Sequence, residues 1–347
     1  MVAEATDGRS LVRTRNLLLL VLVAAIAWVL RDVVLLVFAA LLLAVFLRKA
    51  AALLQERTGL PEGIGVVAVF TAIVGAVVAI GFWQGPRIGE EVQILKRDLP
   101  AAFEDLRARV TRSEAARQVA EELPSPREIV GESEDLLDRA RLVATTTTGA
   151  LAAFGLWIFL ALLFAATPGA YVRGLLAVVP RHHEARTAQL METLRDTLWW
   201  WSLGRLMSMA FVGVTTTVGL TLLGIPLAFL LGLIAAVLTF VPNIGPLVSA
   251  IPALLLALAG DPIDALWVAL LYTGVQLVEG LVLDPVIDRM TVRLPPALTV
   301  TMQLVLGTLV GLAGVALAAP LTAVGMVLVS TLWVQGVLGK PGMAVRS

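Results

Sequence analysis

Cysteine is absent from the 347 residues, which excludes disulfides, thiolate metal sites and cysteine nucleophiles. Only two histidines occur, the adjacent His182 and His183, and adjacent residues do not share a helix face. His183-Glu184 lacks the second histidine of a zinc-protease helix, so the pair reads as a solvated cytoplasmic loop with no metal role. Neither a G-x-x-x-x-G-K-[ST] phosphate loop nor a G-x-S-x-G elbow is present. ATP-driven pumping and hydrolase chemistry by this chain are therefore not expected, and no cofactor is implied. The formal net charge is zero, which offers nucleic acid no basic surface.

Charge of either sign is also scarce. Charged residues make up 15% of the chain, against about 25% in soluble domains. Hydrophobic residues fill the space, at 59% with a mean hydropathy of +0.91. Several apolar runs approach the ~20 residues needed to cross a bilayer, and they are continuous rather than alternating. That pattern predicts an all-α polytopic membrane protein, because a helix satisfies its own backbone in lipid.

The runs fall at 17–30, 33–47, 63–83, 143–166, 203–223, 264–283, 297–318 and 321–337, with two shorter segments at 227–240 and 247–259. Together they give about eight transmembrane or re-entrant helical segments. Arg31 and Asp32 separate the first two runs as the turn of a hairpin, and Ala319-Pro320 separates the last two. Arg9, Arg13 and Arg15 ahead of the first run resemble a secretory signal, but the many later spans favour an uncleaved first helix. Three regions result: N-terminal membrane helices at 1–83, an extracytoplasmic helical insert at 84–142, and a main membrane domain at 143–347.

Lys and Arg crowd the connections on one side, with Arg48, Lys49, Arg57, Arg173, Arg181, Arg186, Arg195, Arg289, Arg293, Lys340 and Arg346, whereas the short loops opposite hold only Arg31. The positive-inside rule then places both termini in the cytoplasm of a bacterial inner membrane. In the insert, Ile88, Val92, Leu95, Leu99, Phe103, Leu106 and Val110 recur every three or four residues, an amphipathic stripe. It packs the insert either on itself or against neighbouring subunits. Pro100 is expected to kink or restart this helix. Trp199, Trp200 and Trp201 read as an interfacial anchor, and Thr215, Thr216 and Thr217 as bonded to their own helix.

Three constellations carry functional expectations. Gln276 and Glu279 stand three residues apart on one face of an apolar span, with Asp284 near its end. An ionisable group at that depth costs several kcal/mol and usually faces a cavity or a partner; a helix-to-helix hydrogen bond is the plainer alternative. Pro242, Asn243, Gly245 and Pro246 interrupt the apolar pair 227–259 and leave backbone groups without helical partners. Breaks of this kind build transporter sites. Gly307, Gly311, Gly314 and Ala318 form a small-residue stripe for close helix packing on one face.

The run Phe240-Val241-Pro242-Asn243-Ile244-Gly245-Pro246-Leu247-Val248-Ser249-Ala250-Ile251-Pro252 resembles the signature break of the autoinducer-2 exporter family, the PerM-type permeases. Leu222-Leu223-Gly224-Ile225-Pro226, Gln276-Leu277-Val278-Glu279-Gly280 with Asp284-Pro285, and Gly311-Leu312-Ala313-Gly314 with Ala319-Pro320-Leu321 agree in order and spacing. The resemblance implies a bacterial permease that forms homo-oligomers. It also implies cargo such as autoinducer-2, or sodium/proton antiport as described for some members. Asn243 stands where the family usually has an aromatic residue. The leading expectation is ATP-independent export of a small polar solute; cation/proton antiport and a non-transporting membrane scaffold are the alternatives.

Overall fold

The computed structural model describes residues 29–111, 147–288 and 294–339. The first apolar run, most of the insert, and Arg289, Arg293, Lys340 and Arg346 lie outside the described residues. Among the described residues every regular element is helical. Five helices among the described residues are long and apolar enough to cross a membrane, and a further apolar pair is sharply bent. The chain is an all-α, multi-pass membrane protein.

Helix α1 (Arg31–Thr58) starts at the charged pair expected as a turn and outruns the apolar segment at its other end. It stops at Gly59, whose φ of 71° suits a residue without a β-carbon. Helix α2 (Glu62–Thr111) continues through Pro86 and Pro100 as one helix, so the restart expected at Pro100 does not occur. A helical proline removes one amide donor, and the rest of the ladder keeps this helix continuous. The boundary expected after residue 83 therefore falls inside a helix. Helix α3 (Thr147–Ala166) closes this first group. Arg48 of α1 donates to the carbonyl of Ala165 at 3.0 Å and pairs with Glu62. That contact ties the second half of α1, the start of α2 and the end of α3 together.

Helix α4 (Pro168–Ala177) is bent by 76° from α3. Helix α5 (Arg181–Leu222) follows with 42 residues, about 63 Å at 1.5 Å per residue. It absorbs most of what the sequence suggested was a cytoplasmic loop, because Glu184–Leu198 is rich in good helix formers. The histidine pair thus occupies an exposed first helical turn rather than a loop. Two of the three tryptophans are not a lipid anchor either. Trp199 and Trp201 are buried, Trp199 packing on Phe46 at 5.3 Å and Trp201 edge-on to Phe240 at 5.8 Å.

Helices α6 (Ala228–Leu238) and α7 (Ile244–Ala259) are the two short apolar segments. Leu220, Ile225, Leu230, Ala257 and Ala265 share one core cluster, so the pair returns to the end where α5 stops. Ile88, Val92 and Leu95 of α2 pack on the same cluster. This part of the amphipathic stripe covers the membrane domain of its own chain, which neither sequence reading anticipated. Between them Glu91, itself buried, accepts from the amide of Leu230 at 3.1 Å and from Arg87 at 3.0 Å. A carboxylate from α2 thereby caps the N-terminus of α6.

Helix α8 (Pro262–Val278) runs through a π-helical turn at Glu279–Leu283 into α9 (Asp284–Asp288). Its start is capped by Asp261, which accepts from the amide of Ile263 at 2.9 Å. The last pair breaks elsewhere than expected. Helix α10 (Pro296–Val310) and α11 (Leu312–Leu328) meet at Gly311, with φ 72° and ψ −149°, and Pro320 lies inside α11. Only glycine adopts that backbone freely, so the turn forms there and not at Ala319-Pro320. The small-residue stripe is consequently divided between two helices that face each other. A β-carbon on Gly314 would lie 2.1 Å from the carbonyl oxygen of Leu306, and one on Gly307 2.8 Å from Val315.

Arg186, near the start of α5, donates to the carbonyl of Thr331 beyond the end of α11. The α10–α11 pair therefore ends where α5 begins, whereas α6–α7 begins and ends where α5 stops. Two helical hairpins thus enter the molecule from opposite ends. They also repeat in sequence: the same interval separates Pro226 from Pro295, Ala228 from Ala297, Val241 from Val310 and Gly245 from Gly314.

Candidate functional site

The sharpest feature of the molecule is the break between α6 and α7. Thr239–Asn243 leave the helix, and Asn243 takes a φ of 66°, an uncommon conformation for a residue with a side chain. Gly245 makes the turn possible, since a β-carbon there would sit 1.8 Å from the carbonyl oxygen of Leu238. Gly245 therefore packs the turn rather than facing the cavity that Pro242, Asn243 and Pro246 line.

Exposed carbonyls in such a break need donors, and two side chains supply them. The guanidinium of Arg205 on α5 donates to the carbonyls of Thr239 and, at 3.2 Å, Phe240. The amide of Gln303 on α10 donates to the carbonyl of Pro242 at 2.9 Å. The tip of one hairpin is thus held by the middle of the other. Farther along α7, Ser249 returns its hydroxyl to the carbonyl of Pro246 at 2.9 Å, and Tyr272 reaches the carbonyl of Ser249 at 3.4 Å.

Arg205 also faces Glu279. Their nearest charged atoms are 3.9 Å apart, with the side chains only 12% and 7% exposed. Ser208 and Gln276 lie beside the same carboxylate, and Asp284 is close enough to act on it electrostatically. Glu279 sits 17 residues beyond the start of α8, about 26 Å along the axis. Protein encloses it there. The π-helical turn matters here. The amide of Asp284 bonds the carbonyl of Glu279, five residues back. The wider turn carries Asp284 onto the face that already bears Gln276 and Glu279, and insertions of this kind recur at functional sites.

These groups surround one cavity of about 750 Å³, within the range that encloses small ligands. Six of the seven pathway residues expected from the sequence line it: Pro242, Asn243, Pro246, Gln276, Glu279 and Asp284. Trp201, Arg205, Tyr272, Thr273 and Thr299 complete the polar and aromatic wall. On the α8 side the lining runs from Ala269 to Ile287, about 27 Å of helix. Gly307, Gly311, Gly314 and Ala318 stand apart from it and shape the second hairpin. Arg205 and Gln303 escaped the sequence reading, although each is a polar residue within an apolar span and obeys the rule that singled out Glu279. Among the described residues no group of three or more histidine or acidic side chains is placed to hold a metal ion.

The family described as "AI-2E family transporter" matches residues 17–333. "Putative transport protein YueF" of Bacillus subtilis is 27% identical over 147 residues, 42% of this chain and 40% of that protein. YrrI of the same organism, with the same description, is 30% identical over 147 residues, 42% of each chain. A Thermotoga maritima protein named "Putative transport protein" is 32% identical over 137 residues, 39% of this chain and 41% of its own. The chain spans about two fifths of the length of these relatives. With nearly all of its length matched by the family, this chain belongs to the AI-2E family of transporters.

Proposed function

We propose that this protein is a secondary transporter of the bacterial cytoplasmic membrane, with both termini inside. It moves a small polar solute past the α6–α7 break without ATP. The observation that carries the reading is the half-open cavity in which the break, the Arg205–Glu279 pair and the polar face of α8 converge. Its wall combines aromatic surface, amides, a guanidinium and two carboxylates, the mixture that orients a polar ligand in an otherwise apolar pocket. Two hairpins entering from opposite ends support access from either side, in the manner of inverted repeats. The names of the relatives are in keeping with transport, and a signalling molecule such as autoinducer-2 is a candidate cargo. A homo-oligomer is the expected working form.

One observation favours cation/proton antiport as a second reading. The described lining of the cavity includes two carboxylates, Glu279 and Asp284, and a carboxylate can bind a cation or carry a proton. Purified protein in liposomes, loaded in turn with autoinducer-2 and other small polar solutes under sodium and pH gradients, separates the readings. Solute flux that persists in Glu279→Gln while ion flux is lost supports solute transport with separable coupling. Unchanged ion flux in that variant rejects antiport through Glu279. Silence with every solute and ion leaves the scaffold reading standing.

A further inference from the structure

Helix α4 leaves the end of α3 at 76°, and a helix at that angle to a spanning helix runs along the membrane surface. Pro168 at its first position makes the corner, since proline is tolerated there and suits a new helix start. The residues of α4 and its C-cap divide by side. At 100° per residue Tyr171, Val172, Leu175 and Val178 fall in one arc with Pro168. Tyr171, Leu175 and Val178 are 46%, 48% and 79% exposed. Arg173 lies on the other side, its guanidinium folded back over Gly169.

The charge is one-sided too. From Thr167 onward the ionisable residues are Tyr171, Arg173, Arg181, His182 and His183, and no acid occurs before Glu184. Arg181 and both histidines occupy the first turn of α5 and are exposed. That is the positive end of the helix dipole, where added cations are disfavoured. Glu184 in the same turn offsets one such charge; an anionic surface relieves the remainder, and its acyl boundary covers the exposed side chains of the apolar arc.

We propose that α4 and the first turn of α5 form an interfacial anchor for anionic lipid headgroups. Tyr171, Leu175 and Val178 reach the acyl boundary, while Arg173 and Arg181 hold phosphates of the leaflet at which α3 ends. Helix α5 is continuous from Arg181 to Leu222, so the anchor fixes the helix that carries Arg205 relative to the membrane plane.

The absence of native cysteine makes the test direct. Single nitroxide labels at Leu175→Cys and Ala177→Cys are placed in the full chain. The chain is reconstituted in phosphatidylcholine vesicles with and without phosphatidylglycerol. The 175 label should collide with dissolved oxygen more than with a water-soluble nickel chelate, and the 177 label the reverse. Spin-labelled phosphatidylglycerol should bind in preference to spin-labelled phosphatidylcholine. That preference should fall about fivefold for each of Arg173→Gln and Arg181→Gln, survive in Arg173→Lys, and weaken with salt. Equal aqueous access at 175 and 177 would show α4 standing off the bilayer, free for a soluble partner, and would overturn the proposal. So would a lipid preference untouched in the Arg173→Gln/Arg181→Gln double variant. Neither readout depends on transport, so failure here is distinct from failure of the transport reading.

Discussion

Replacing Arg205 with alanine removes the donor to the carbonyls of Thr239 and Phe240 and leaves Glu279 buried without its cationic partner. At the observed separation of 3.9 Å and an effective dielectric constant of about 20, the lost attraction is about 4 kcal/mol. Breaking a buried pair by removing one member costs about 3–5 kcal/mol. The carbonyls of Thr239 and Phe240 add about 1–3 kcal/mol for each one left without a donor. Glu279→Gln should cost less, because Arg205 keeps both carbonyl acceptors. The assay is reversible unfolding in mixed detergent micelles for wild type, both single variants and the double variant. Arg205→Ala should be the most destabilised single variant, and the two changes should be non-additive by about 1.5 kcal/mol or more. Additivity within about 0.5 kcal/mol would mean that the pair is a proximity without an interaction, and the account of the site would fail.

Further outcomes follow at four other positions. Gly245→Ala places a β-carbon against the backbone of Leu238 and should cost about 3 kcal/mol or more in thermal stability. Gly274→Ala, which meets nothing within 4 Å, should be neutral or slightly stabilising. Gln303→Leu removes the donor to Pro242 and should destabilise by about 1–3 kcal/mol in thermal unfolding. Glu91→Ala removes the cap on α6 and should cost about 1 kcal/mol. Faster amide exchange at Leu230 would locate the loss, and unchanged exchange there would count against the cap.

The membrane class and the place of the broken hairpin were legible because both rest on local rules: uninterrupted apolar runs, and prolines that deny a helix its donors. Glu279 was legible as an acid in an apolar span. The same reasoning applied to Arg205 and Gln303, but their meaning lies in distant partners, the carbonyls of Thr239, Phe240 and Pro242. No local pattern announces such pairings. The end of α10 shows a different failure. Ala319-Pro320 looked like the turn, yet a single glycine in a conformation closed to other residues outweighed a proline that α11 accommodates. The tryptophans misled because a chain of aromatics beside a span fits a lipid interface and a buried core equally well. The π-helical turn that brings Asp284 onto the cavity face has no signature in composition or period.

The central claim is that a solute passes through the cavity between Pro242 and Glu279, and one measurement addresses it. Autoinducer-2 and a panel of radiolabelled small polar solutes are followed in proteoliposomes containing wild type or Thr273→Trp, a change that fills the cavity from α8. Folding of both proteins is verified by thermal unfolding. At least one solute should cross with wild type above protein-free vesicles, and that flux should disappear in Thr273→Trp while its stability is retained. Undiminished flux through the stable, filled variant would contradict the account.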